Sequence, residues 1–473
     1  MVFTSHIFIF YFLPVVLLLY YLLPVRRNLF LLCAGYCFYA WLNPWFAALC
    51  LFITVVNYLC GLLMGRAQLA RGTRVLALVI SVVINLSTLA FFKYFMFFQN
   101  NLNLFLDSFG AGTFAVLQVV LPVGISFYIF KSMSYSIDVY RGQSPPARSF
   151  FDFACFVSFF PQLMAGPIQR YNTIDTRSEH FSTFADQLAR RSHSLHKFSS
   201  GAALFILGFA KKILLADAVG RVADAVFGAG AVGAADAWFG AVAYAFQIYF
   251  DFSAYSNMAI GLGLMFGFEC PRNFNAPYLA DTFTDFWRRW HISLSSWFRD
   301  YLYIPLGGNR RTTSRVYFNL IVVFLLCGLW HGANWTFVLW GAYHGAILVF
   351  ERSMGNKPVY GKLPRPIRVL FTFVLLLFSW VLFRADNISG AGQYLGVMFG
   401  AGGGSTLLAA EIYTKGHLIT MAICALLIFQ PIQAFDLAKT ITWPKAVTLI
   451  LLFCFSLMTM FVQSFNPFLY FQF

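Results

Sequence analysis

The segment Cys327-Gly328-Leu329-Trp330-His331-Gly332-Ala333-Asn334-Trp335 places one histidine among small and aromatic residues, inside an apolar run that begins near Val316. An ionisable side chain at membrane depth gives up its hydration on folding, and such residues are functional candidates by default. A neutral imidazole, with an ordinary pKa of ~6.5, can take a proton at working pH, and desolvation favours that basic form. His331 therefore has the chemistry of a general base. Trp330 and Trp335 would wall its site, Asn334 adds a polar group, and Gly332 would let backbone approach a reacting group closely.

Two further segments interleave polar and aromatic residues. From Phe286 to Asn309 the spacing predicts an amphipathic helix lining the cytoplasmic mouth of a cavity, with Arg288, His291 and Ser295 on one face, Asp300 on the other and Gly307-Gly308-Asn309 as its C-terminal turn. From Gln247 to Gly261, Gln247, Asp251 and Tyr255 form a polar stripe along an otherwise apolar helix. A buried Asp251 needs a partner, for which a nearby Arg or histidine is the natural choice, and an anchoring role fits it better than a catalytic one. His291 suits either chemistry or a structural bridge. His344 is read as structural, and His6, His180, His193, His196 and His417 as solvated.

The elements that must position these residues belong to a membrane protein. The 473 residues are 60% hydrophobic, 19% aromatic and 11% charged, too apolar for a soluble surface. The fold class expected is an all-α polytopic bundle of about 11–12 transmembrane helices with re-entrant and amphipathic elements, at ~20 residues per span. The whole chain, 1–473, is expected to form one domain.

Candidate spans lie near 7–23, 28–43, 45–64, 76–98, 114–131, 201–218, 238–267, 316–334, 335–351, 366–384, 417–437 and 446–466. Residues 150–168 read as a re-entrant or interfacial element, 170–200 as a cytoplasmic loop with short helices, and Gly390 to Ser405 as a flexible outer loop. The first span reads as retained and not as a cleaved signal. The net charge of +15 is clustered between apolar runs, including Arg170 through Lys212. That pattern points to cytoplasmic loops facing anionic lipid, not to nucleic acid, and puts both termini outside. The nine cysteines contain no CxxC, so neither a disulfide framework nor a metal site is indicated.

The apolar run from Val316 to Phe350 would be about 52 Å long as one helix, against a hydrocarbon core of ~30 Å. It must break, and Gly328, Gly332 and Asn334 mark the place. His331 then sits at the tip of a helical hairpin, deep in the membrane and toward the outer side.

Phe286 to Asn309, Tyr249 to Gly261, the His331 motif, Ser136 to Arg141, Gly166-Pro167-Ile168 and the C-terminal Pro467-Phe468-Leu469-Tyr470-Phe471-Gln472-Phe473 together resemble the membrane-bound O-acyltransferase (MBOAT) superfamily. The likeness is to its bacterial alginate O-acetyltransferase branch in particular, and it runs through most of the chain with core motifs in 130–351. It implies that His331 is the catalytic histidine of the Gly-Leu-Trp-His-Gly pattern and that His291 occupies a second catalytic position. It also implies an acyl-thioester donor from the cytoplasm, an acceptor from outside and a partner protein that finishes delivery. The expectation is acetyl transfer from acetyl-CoA, with no covalently bound cofactor, to an exported or periplasmic polysaccharide such as alginate, aided by a periplasmic SGNH-type acetyltransferase or esterase-like protein in a bacterial inner membrane.

Arg288, Arg289, Arg299, Arg310 and Arg311 would meet the CoA phosphates, or else lipid headgroups or Asp300. With no GxSxG elbow in the chain, direct attack by the acceptor hydroxyl is expected in place of a serine acyl-enzyme. Transfer of another acyl group, such as D-alanyl from a carrier, and a proton-coupled transporter working through Asp251, His291 and His331 are the alternatives.

Overall fold

A computed structural model describes residues 1–23, 25–171, 183–355, 358–404, 406–463 and 468–469. Most of the C-terminal motif, residues 172–182 of the expected loop and Ser405 lie outside them. Among the described residues the chain is helical with no strand. It divides into two compact units, residues 1–202 with 259–271 and residues 203–258 with 272–473.

Among the described residues, five helices are long and apolar enough to cross a membrane: Pro44–Gly65, Arg71–Ser108, Thr313–His331, Arg365–Arg384 and Trp443–Val462. A sixth arises if Thr406–Ile412 and Lys415–Ile428, bent by 60° at their junction, count as one span. Other apolar stretches form shorter helices, such as Arg27–Ala40 and Ile125–Tyr140.

In the first unit, Pro44–Gly65, Arg71–Leu89 and Ile125–Tyr140 pack around a shared polar hub. The Asn57 Oδ1 accepts from Ser81 Oγ (2.8 Å), Asn85 Nδ2 (3.0 Å) and Ser136 Oγ (2.9 Å), one donor set from each neighbouring helix. The expected span at 114–131 does not form; its helix begins only at Ile125. Pro122 and the left-handed Gly124 (φ +79°) delay it. The backbone before them is occupied by side chains, since Asn103 bonds both the N–H and the C=O of Phe114, and Gln99 accepts from Leu117 N. Residues 150–168 carry two short helices, Phe150–Ser158 and Phe160–Leu163, in keeping with a non-spanning element.

The second unit contains the hairpin. Its arms, Thr313–His331 and Trp335–Ser353, break at Gly332-Ala333-Asn334, as the length argument requires. They touch backbone to backbone: a Cβ on Gly328 would strike the Phe337 carbonyl, and one on Gly341 the Phe324 carbonyl. The Gly390 to Ser405 stretch is not a loop in its first half. Ile388–Met398 is a helix whose cap, Asn387, accepts from Gly390 N at 2.8 Å. Burial of Met398 against Ala237, Ala241 and Val381 outweighs the helix cost of its glycines.

Candidate functional site

The sequence from Phe286 to Asn309 does not form the single amphipathic helix expected of it. Phe283–Arg289 and Ile292–Phe298 are separate helices, followed by a wider turn at Arg299–Tyr303, and His291 stands between them in the left-handed region (φ 42°, ψ 55°). Arg288, His291 and Ser295 therefore share no continuous helical face. The cause lies outside the segment. The chain at 273–275 pairs with it, through Asn275 N to Arg289 O (3.0 Å) and Ile292 N to Asn273 O (2.9 Å), and holds the break open. A non-glycine residue at positive φ stores strain, which persists only where surrounding contacts impose it.

Asn273 also settles the state of the His291 ring. Its Oδ1 accepts from the Ser293 backbone N–H (3.2 Å) and from Ser293 Oγ (2.9 Å). A backbone N–H can only donate, so the amide oxygen faces this way, and the His291 Nδ1 at 3.1 Å from it must carry a proton. Neutral His291 then carries its lone pair on Nε2.

His331 ends the first arm of the hairpin and is buried, with 4% of its surface exposed. Its ring packs edge-on to Trp330 (4.9 Å between centroids), Trp340 (5.0 Å) and Phe383 (5.1 Å). The Trp330 ring lies 5.9 Å from that of His291, which meets Phe252 at 4.7 Å on another side. One indole thus touches both imidazoles. His344 belongs to the next layer, 4.5 Å from Trp340, with its Nδ1 accepting from Trp287 Nε1 at 3.2 Å.

Asp251 is buried beside a lysine, not the arginine or histidine expected. Lys212 Nζ lies 2.9 Å from Asp251 Oδ1 and 2.7 Å from Asp217 Oδ1, while Asp251 Oδ2 accepts from Leu469 N at 2.7 Å. Lys212 is therefore no part of a solvated basic cluster; its burial with two carboxylates makes it a hub. Tyr255 stacks on Phe468 at 4.7 Å, so Asp251 and Tyr255 of the polar stripe both hold the C-terminal segment. Asn334 serves the hairpin tip: its Oδ1 caps Thr336 N (3.1 Å) and its Nδ2 donates to Asp386 O (2.7 Å). Trp335, expected to wall the site, is 52% exposed, and Trp340 and Phe383 take that place.

The arginines divide into two groups. Arg289 is paired with Asp285 (2.7 Å) and Arg299 with Asp300 (2.6 Å), whereas Arg288, Arg310 and Arg311 are exposed. Ser295 is half-buried, with its Oγ 3.4 Å from Trp290 O. His193 and His417 are partly buried, not solvated. His193 contacts Tyr20 Oη at 2.8 Å.

Glu351 escaped the sequence reading. Buried on the second arm, it accepts from Phe283 N (2.7 Å), Thr284 N (2.9 Å) and Thr284 Oγ (2.8 Å), and so ties the hairpin that carries His331 to the helix that leads into His291. A lone carboxylate at the end of an apolar helix was the available signal; its target lay 67 residues away.

A family described as MBOAT, membrane-bound O-acyltransferase, matches residues 75–357, which include Asp251, Asn273, His291, His331 and Glu351. A probable alginate O-acetylase of Azotobacter vinelandii is 44% identical, with all of both chains covered. A peptidoglycan O-acetyltransferase of Helicobacter pylori is 36% identical over all of this chain and 98% of its own. A teichoic acid D-alanyltransferase of Bacillus subtilis is 27% identical over 57% of this chain and 68% of its own.

Proposed function

This chain belongs to the membrane-bound O-acyltransferase family and is a membrane O-acetyltransferase; from that premise we propose that it takes acetyl from acetyl-CoA on the cytoplasmic side of a bacterial inner membrane for O-acetylation of an exported polysaccharide such as alginate. A periplasmic SGNH-type protein completes delivery. The observation that carries the reading is the pair of buried imidazoles touching one indole, Trp330.

In the reaction, the acceptor hydroxyl attacks the thioester carbonyl as His331 removes its proton. The tetrahedral intermediate then expels the CoA sulfur, which takes the proton back from the His331 imidazolium. His291, protonated on Nδ1 by its bond to Asn273, offers Nε2 as an acceptor for a neighbouring hydroxyl of the acceptor sugar and so orients the attacking one toward His331. The aromatic walls around His331 exclude water that would compete as acceptor. Arg288, Arg310 and Arg311 take the CoA phosphates, because Arg289 and Arg299 already hold carboxylates.

The test is turnover of labelled acetyl-CoA by purified protein in detergent, where no gradient exists. Release of CoA that disappears in His331→Ala is the expected result. Turnover of a D-alanyl carrier thioester in place of acetyl-CoA would move the donor to the D-alanyl class. No thioester chemistry at all, with proton-driven uptake in vesicles, would make the protein a transporter.

A further inference from the structure

Away from the two histidines, the second unit holds a cavity of about 800 Å³ between residues 207–221 and the helices Lys415–Ile428 and Trp443–Val462. Most of its wall is aliphatic or aromatic, including Leu207, Leu214, Leu427, Leu452 and Phe455. Among the described residues the ionisable lining side chains are Lys211, Arg221, His417 and Tyr249, and none is an Asp or Glu. Lys211 makes no hydrogen bond or ion pair with any described residue, whereas the adjacent Lys212 takes both nearby carboxylates. Lys211, Leu214, Ala218 and Arg221 all line it, from the π-helical turn Lys211–Ala216 and the helix Asp217–Gly228 that continues it.

The cavity is half open, and its wall combines a continuous aliphatic stretch with Thr414, Thr420, Gln430, Gln433 and the cations, the mix of surfaces that an amphiphile with a long apolar tail and a polar head would cover. Trp443–Val462, one of the walls, has only 11% of its apolar window buried in protein, so the helix depends on the bilayer for most of its packing. An acyl chain suits the walls, and Lys211, which has no carboxylate partner among the described residues, together with Arg221 favours a phosphate headgroup of net negative charge. We infer that this cavity is a binding site for an anionic phospholipid, its chain against Leu207, Leu214, Leu427 and Leu452 and its headgroup phosphate met by the long side chains of Lys211 and Arg221 reaching toward one another. The inference stands independently of which polymer is acetylated.

The test uses the full chain in nanodiscs of phosphatidylglycerol or of phosphatidylcholine, with native mass spectrometry after release into mild detergent and thermal unfolding in each disc. Wild-type protein should retain phosphatidylglycerol in preference to phosphatidylcholine and melt at a higher temperature in the anionic disc. Lys211→Gln with Arg221→Gln should lower phosphatidylglycerol retention by about tenfold, a change equal to one charge-assisted contact, and abolish the difference in melting. Ala218→Phe, which occupies the cavity and leaves both cations in place, should lower retention as well; it decides the matter if the double variant does not fold. Equal retention of the two lipids by wild type, or undiminished retention by the folded variants, would overturn the assignment. Stabilisation by inorganic phosphate alone to the same extent would show a free anion site and overturn it too.

Discussion

Two buried asparagines, one in each unit, use the same device for different ends. Asn57 Oδ1 accepts two hydroxyls and an amide from two neighbouring helices, and Asn273 Oδ1 accepts a backbone N–H, a hydroxyl and the Nδ1 of His291. All donors to Asn57 are neutral groups that cannot titrate, and their only consequence is that Pro44–Gly65, Arg71–Leu89 and Ile125–Tyr140 meet in one register. One donor to Asn273 is an imidazole in a left-handed backbone position, and the bond to it fixes which nitrogen carries the proton. A buried polar hub therefore says little about function by itself. What it says depends on whether any of its donors can change charge, and on whether the backbone around it is strained.

That contrast gives its largest expected effect at the residue the Asn273 network faces across Trp330. His331→Ala should lower acetyl-CoA turnover by about 10²–10⁴-fold, the usual worth of a general base, with membrane insertion and melting temperature near wild type. Retention of more than a tenth of the activity in correctly inserted protein would remove the residue from that role.

Asn273→Ala should cost less, on the order of 10–100-fold in turnover, because the imidazole remains but its tautomer is no longer fixed. The readout that separates positioning from folding is the pH profile. Asn273→Asp supplies a carboxylate that favours imidazolium, so its activity should fall on the acid side at a higher pH than in wild type. A pH profile unchanged in Asn273→Asp would mean that the bond does not govern the protonation of His291.

Asn57→Ala is the counterpart in the first unit. It leaves three buried donors without their acceptor, at about 1–3 kcal/mol for each group that finds no other, although transmembrane hydrogen bonds average nearer ~0.6 kcal/mol. A lower melting temperature with turnover per folded molecule unchanged is expected. A loss of turnover at full stability would show the hub reaching into the chemistry.

How far these residues could be read from the sequence follows the same division. The hairpin break and the burial of His331 were legible because they rest on length, glycine placement and one ionisable residue in an apolar run, all local facts. The split at His291 was not, since it is imposed by Asn273 and Asn275 from outside the helix. Lys212 was misread because Arg170 to Lys212 looks like one basic cluster in one dimension; in the fold its ammonium faces Asp217 and Asp251. The extended stretch before Ile125 and the helix Ile388–Met398 reversed their local propensities for a similar reason, side-chain bonds from Gln99 and Asn103 in one case and burial of Met398 in the other.

The smallest effect belongs to a histidine that the first unit holds in one state without chemical use. Tyr20 Oη spends its proton on Phe266 O (2.8 Å), so toward His193 and Arg191 it is the acceptor, and His193 Nε2 must donate to it. The other nitrogen, Nδ1, then lies 3.4 Å from the Arg27 guanidinium and accepts from it. Protonating Nδ1 would set two cations against each other. Burial first, and then Arg27, Arg191 and Lys197, accordingly hold the His193 pKa below its ordinary 6.5. A histidine with a depressed folded pKa lets the unfolded chain bind the proton first, so its penalty is absent above about pH 6.5 and grows as pH falls below it. Wild-type protein should thus lose melting temperature between pH 7 and pH 5.5 more steeply than His193→Gln, which keeps a donor to Tyr20 but cannot titrate. The difference should be small, because the site is partly exposed and screened. Identical slopes in the two proteins would mean that Arg27 turns away when the ring takes its proton, and that even this contact of the first unit is indifferent to charge.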